Sequence, residues 1–357
     1  MYLIAMTRAR KRSIWILLGV LTLFLFRLGK RHPALLESVY GEGIYPGIRA
    51  VFYLMTGWLP FPALTLVVVF ASILLYRTAI IPYRRNTWSW RSLACGILST
   101  IGAIIFLFYT LWGFNYGRES IASRMSINPV PLDSTALQAE FGMATEDLVG
   151  WATTHEKQIR AKMNEVAPGL EALLIAELVP VLEMVGFPIS KTPRGRLIRP
   201  KGILLRFSTS GIYIPFTGEG HVDAGMLPVQ VPNTMSHELA HGYGVTDEGE
   251  CNFLAYLTCS RSNDPVIRYS ALLGYWRYVA FDYRRHFRTD FNDKYEKLPD
   301  LVKETMDSIH SNNKKYPDIM PRVRNAVYDS YLRSNGVSDG LVSYNRVVQM
   351  VYAYRGL

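Results

Sequence analysis

Ser236-His237-Glu238-Leu239-Ala240-His241 decides how this chain is read. On a helix the two histidines stand at i and i+4, so both imidazoles leave one face and can grip a single metal ion from one side. Glu238 lies between them, beside the metal without being needed as a ligand. Two nitrogen ligands, an open coordination position for water and a carboxylate to take the water's proton are the parts of a hydrolytic zinc centre. The bland alternative is a pair of ordinary histidines on a surface or core helix. The sequence that follows the motif argues against it.

A catalytic zinc wants three protein ligands. Gly242 and Gly244 are expected to end the motif helix in a sharp turn, letting the next helix, from about 247 to 259, fold back toward the histidines. Three carboxylates then compete. Asp247 and Glu250 have the D-x-x-E spacing of a capping box, which is a sufficient structural reason for both. Glu248 has no such role and shares a helical stripe with Asn252, Ala255 and Cys259. The sequence therefore favours Glu248 as third ligand, with Glu250 next and Asp247 after it. Asp247 stays in play because HExxHxxGxxD, with Gly244 in place, mimics the metzincin spacing.

Working outward, 357 residues suffice for one large or two ordinary domains. Hydrophobic residues make up 49% against 19% charged, a balance that points to membrane segments in one part and a soluble domain in another. Three apolar runs are expected to span a membrane, at about residues 13–28, 58–76 and 93–114, with Trp58, Tyr76 and Trp112 at interfacial edges. The first, preceded by Arg8, Arg10, Lys11 and Arg12 and lacking a cleavage site, reads as a retained signal anchor. The competing reading, buried helices of a globular core, is weakened by their lack of any polar face. With Arg77, Arg84, Arg85 and Arg91 between the second and third runs, the positive-inside rule places both basic clusters in the cytoplasm and everything after Asn115 outside. The loop from 27 to 57 is then an irregular external segment.

The formal charge of +10 is accounted for by these flanks and a mildly basic surface, since no Lys/Arg tract with interleaved aromatics appears. No nucleic-acid partner is expected. Three cysteines cannot make a disulfide framework: Cys251 and Cys259 on one helix would stand about 12 Å apart. They read as small buried hydrophobes.

Residues 115–357 read as a mostly helical α+β domain. Helices are expected over 134–166, 170–185, 265–287, 298–311 and 342–354, with two strands at 202–207 and 212–216. A second donor for the developing oxyanion could come from His221, Tyr213, Tyr275 or Tyr278, each of which has packing as its plainer reading. The strand from Ile212 could hold an extended peptide at a sheet edge, or merely close a small sheet.

His237 to His241 followed by Glu248-x-x-x-Asn252 resembles gluzincin-type zinc metallopeptidases, in which a Glu four residues before an Asn or Asp on the next helix completes the site. The HELAH block, the following G-x-x-x-E-x-E-x-N-F-L-A-Y, the preceding I-Y-I-P-F-T-G-E and V-D-A-G, and the three N-terminal spans resemble an uncharacterised bacterial membrane family grouped with those peptidases. The resemblance implies a zincin-like domain anchored in the cell membrane, Zn2+ held by His237, His241 and Glu248, Glu238 as general base, and a peptide or protein substrate. The separation between the second His and the Glu is shorter here than in many gluzincins. An inactive peptidase-like sensor or scaffold is the alternative, whereas a transport role is disfavoured because the runs carry no internal carboxylate or lysine.

Overall fold

The computed structural model describes residues 2–84, 89–335 and 346–356. They form two compact units, Met1–Glu119 with Ile214–Glu219, and Ser120–Tyr213 with Gly220–Leu357.

The first unit is helical. Helix α1 (Tyr2–Gly29) and α4 (Trp90–Leu111) cross at Gly19 and Gly102. A Cβ on Gly19 would sit 2.8 Å from the Gly102 Cα, so the two backbones touch where only hydrogen side chains fit. Small residues at a crossing let two helix backbones approach this closely. Between them lie α2 (Tyr45–Thr56) and α3 (Leu64–Leu75), the latter continuing as helical turns to Arg84.

Two expectations for this unit change. The segment from 27 to 57 is not irregular: Pro33 and Pro46 stand in the first turns of helices, where a missing N–H costs nothing, and start structure rather than break it. Its wide-turned stretch Glu37–Ile44 is held by Arg118, whose guanidinium grips Glu37 through two hydrogen bonds of 2.6 and 2.9 Å. The apolar run from 58 to 76 is not one helix either, because Pro60 and Pro62 delay its start to Leu64. Among the described residues α4 alone, with 22 residues, is long and apolar enough to cross a membrane. The apolar stretches Ser13–Gly29 and Leu64–Leu75 are shorter. Arg85, one of the cations used to orient the chain, lies outside the described residues.

The second unit is a mostly helical α+β arrangement with one three-stranded sheet. Asp133 caps α5 (Ser134–Thr154) by accepting from the Ala136 amide at 2.8 Å. The stretch expected to run on to 166 breaks at His155 and resumes as Glu156–Lys162. Then come α6 (Leu170–Met184), α7 (Val231–Tyr243), α8 (Glu248–Ser260), α9 (Pro265–His286), α10 (Asp300–Lys314) and α11 (Arg346–Arg355). For the closing helix, residues 342–345 lie outside the described residues. Helix α8 is buried from Glu248 to Cys259, all round, so it is the centre of the unit rather than a face of it. Each polar side chain it carries inward must find a partner there.

The sheet has order β1-β3-β2, with β1 Arg194–Ile198, β2 Gly211–Ile214 and β3 Glu219–Asp223. The strand expected at 202–207 is absent. Gly202 adopts φ +84, and the Asp223 carboxylate takes the amides of Gly202, Leu204 and Leu205 at 2.7, 2.7 and 3.1 Å, the donors a strand would have paired. Glu219–Asp223, where no strand was expected, is the fully buried central strand β3.

Candidate metal centre

Helix α7 ends in a Schellman turn: Gly244 takes φ +108, its amide donates to His241 O at 3.0 Å, and the Val245 amide donates to Ala240 O at 3.2 Å. Of the two glycines expected to make the turn, only Gly244 does. Gly242 is inside the helix, where a Cβ would collide with Pro193. The turn sends the chain back so that Val245 O accepts from His241 Nδ1 at 2.8 Å, and the Asn252 Oδ1, one turn into α8, accepts from His237 Nδ1 at 2.9 Å. Both acceptors are oxygens without hydrogen, so each imidazole proton is assigned to Nδ1 and each Nε2 presents a lone pair.

Those two lone pairs and one oxygen of Glu248 converge. The Nε2 atoms are 3.1 Å apart, and Glu248 Oε2 lies 3.1 Å from that of His237 and 3.3 Å from that of His241. Ligand atoms on a tetrahedral centre with bonds of about 2.0–2.1 Å stand about 3.3 Å apart. Three lone pairs aimed at one point repel unless a cation or a proton lies among them. The titration directions agree: burial works to lower His241, but Cys251 and Glu248 raise it well above its ordinary value. Burial likewise works to raise Glu248, yet the two histidines hold it well below the carboxylate range.

Cys251 also falls within 4.8 Å of the two histidines, and this buried group can hold a metal ion. Its sulfur, however, touches His241 Nδ1 at 3.3 Å, on the side of the ring turned from the other donors. Burial pushes the thiol up to about 12, so it stays protonated and is a poorer donor than Glu248.

Glu238 stands beside the donors and outside them. Its carboxyl is buried and its titration raised by burial against the opposing charges of His237 and His241. Oε2 has no hydrogen-bond partner among the described residues. Two glycines wall it in: a Cβ on Gly211 would lie 2.5 Å from Glu238 Oε1, and one on Gly220 would lie 2.6 Å from Glu238 Cβ. Strands β2 and β3 thus run directly over this side chain, a contact legible in sequence only as glycine inside strands.

The remaining candidates separate cleanly. Asp247 caps α8, accepting from the Glu250 amide at 3.0 Å, and pairs with Arg346 at 3.2 Å. Glu250 completes no reciprocal capping box; its Oε1 accepts from the Ala122 amide at 3.2 Å, at the start of the short helix Ile121–Arg124. Neither is drawn to the histidines. Tyr275 is engaged elsewhere, donating to Glu140 at 2.6 Å. The Tyr278 hydroxyl accepts from Asn252 Nδ2 at 3.3 Å and so acts through that residue. Tyr213, on β2, has its ring 6.5 Å from that of His241, and His221 is buried in β3, next to the Gly220 that packs on Glu238. Cys95, Cys251 and Cys259 are all free thiols.

Residues 40–352 match the model of a family described as a protein of unknown function (DUF3810), and the chain belongs to that family. No curated protein and no solved structure matches it.

Proposed function

We propose that this chain is a membrane-anchored zinc-dependent metallopeptidase that hydrolyses peptide bonds with Glu238 as general base. The observation that carries the reading is the convergence of His237 Nε2, His241 Nε2 and Glu248 Oε2 to within 3.3 Å of one another, with the buried Glu238 carboxyl adjacent. Two imidazoles and a carboxylate favour zinc over magnesium or calcium, which take oxygen donors. When bound there, zinc supplies Lewis acidity, lowering the pKa of a water and polarising a carbonyl.

The chain's own residues account for the rest. Val245 O and Asn252 fix the imidazole tautomers, so the donor atoms need no reorganisation. Glu238 removes the proton of the attacking water and returns it to the leaving amine; its raised titration makes it a stronger base than an ordinary carboxylate. Tyr213 and His221 are the groups beside the centre from which a second oxyanion donor would come. The sheet edge at β2 leaves one side of the Gly211–Ile214 strand for an extended peptide to pair with.

The basic flanks favour a cytoplasmic N-terminus, spans built on the runs at 13–28, 58–76 and 93–114, and an extracytoplasmic second unit. The test is paired. Purified full chain should hold stoichiometric zinc and degrade casein. Glu238→Gln should keep the zinc and lose the proteolysis, and His237→Ala should lose the zinc. Zinc-loaded protein without proteolysis toward any supplied peptide pool would favour a sensor or scaffold instead.

A further inference from the structure

Helix α2 (Tyr45–Thr56) is built inside out for a helix in water. Tyr45, Arg49 and Phe52, spaced i, i+4, i+7, form its buried face. Val51, Leu54, Met55 and Trp58 just beyond its end form the exposed one. Residues 45–63 contain a single charged side chain, Arg49, and it is the one turned inward, 1% exposed, donating to Gly218 O at 2.8 Å. Meanwhile Leu54 and Trp58 are 72% and 74% exposed. No exposed side chain from 44 to 61 is charged. In water an amphipathic helix does the reverse, and a protein-binding patch would carry a polar rim. Apolar side chains outward and the lone cation satisfied inward is the pattern lipid selects.

We infer that the outward face of α2 and the turn after it is a lipid-contacting surface, seated in the apolar boundary of a bilayer. The inference rests on the membrane-anchored reading above. Three features favour lipid as the occupant. The same unit holds α4, whose own exposed face is Ile97, Leu98, Ile101, Ile104 and Leu107. At 12 residues α2 reaches about 18 Å, short of the ~30 Å hydrocarbon core, so it lies in the boundary rather than crossing it. Tyr53 and Trp58 are the amphipathic rings that settle at headgroup level. Helix α2 then adds a membrane contact within 27–57, where the sequence suggested an irregular external segment ahead of the apolar run at 58–76.

The test uses the full chain in phosphatidylcholine/phosphatidylglycerol vesicles with an environment-sensitive maleimide dye. Cys251 and Cys259 are buried, with thiols pushed to about 12, so a Cys95→Ala background leaves an introduced cysteine as the reactive thiol. Dye is placed at Leu54→Cys, with native Cys95 on α4 as the lipid reference and Lys157→Cys, exposed on Glu156–Lys162, as the aqueous one. The expected result is quenching of the Leu54 dye by doxyl-labelled lipid, as at Cys95, with iodide quenching several-fold weaker than at Lys157. Iodide quenching at Leu54 equal to that at Lys157, with Cys95 still lipid-quenched, overturns the inference alone. Protection from both quenchers at Leu54 means a protein covers the face and also overturns it. A Cys95 dye that lipid does not quench removes the membrane anchoring and the inference with it.

Discussion

Replacing Gly211 with alanine tests the wall around Glu238 most directly. The residue is not among the left-handed glycines, so the new methyl group brings a steric effect without backbone strain. Its Cβ would lie 2.5 Å from Glu238 Oε1 and 2.9 Å from both Cδ and Cγ. Ordinary contact needs about 3.5 Å, so the carboxylate must retreat by about 1 Å. It cannot do so by moving its stem, since β3 passes close over Glu238 Cβ at Gly220; the head has to swing. A reacting group misplaced by about 1 Å costs on the order of 10²-fold in rate, or ~2.7 kcal/mol in the barrier. The donors on His237, His241 and Glu248 are untouched by the methyl group, so metal content should not change. The assay is casein turnover alongside zinc content by mass spectrometry and a thermal melt. On the proposed function, the expected outcome is roughly hundredfold slower turnover with full zinc, approaching the loss expected of Glu238→Gln. A Gly211→Ala protein with wild-type turnover would refute the idea that β2 sets the position of the general base. A protein that loses zinc would show that the wall belongs to the metal cradle instead.

Other outcomes follow from the same geometry. Asn252→Ala removes the acceptor on His237 Nδ1 and should weaken zinc binding by about 10–100-fold in competition with a chromophoric chelator, while Asn252→Asp should retain it; unchanged affinity in the alanine variant would rule out the orienting role. In the metal-free protein burial lowers His241, but Cys251 and Glu248 raise it further, so its folded pKa exceeds its unfolded one. Its proton therefore stabilises the metal-free fold fully below the unfolded pKa, and that contribution fades as pH rises through the folded value. Metal must displace the proton, so affinity should climb with pH through the same window, and calorimetry in two buffers of different ionisation enthalpy should reveal proton release; identical heats would contradict it. Glu250 is raised by burial and by Asp247 from 4.5 to about 7, so stability should fall as pH rises across that interval. Glu250→Gln should flatten the fall and leave zinc content unchanged, because its oxygen still caps Ala122; zinc loss would make Glu250 a ligand after all.

The sequence alone determined the parts of this protein that depend on local spacing. Two histidines at i and i+4 must share a face, a glycine after the last helical turn makes a left-handed cap at low cost, and Asp247 three residues before Glu250 must cap the helix it opens. These fix the motif helix, its turn and the direction of the next helix, and with them the pairing of Glu248 and Asn252 one turn apart. The helices expected at 170–185, 265–287 and 298–311 were legible for the same reason, because their periodicity and caps are written within a few residues. The tertiary structure decided everything that depends on residues far apart in the chain. Glu250 could not be told from a ligand until the amide of Ala122 stood against it. That Gly211 and Gly220 lie against Glu238 was decided only by the packing of both strands on that side chain. The amides of 202–205 formed no strand because Asp223 holds them. Likewise the prolines that suggested a loop in the first unit begin helices, and which way Arg49 turns could be known only with Gly218 in place. Spacing sets which side chains share a face; only packing sets what each face meets.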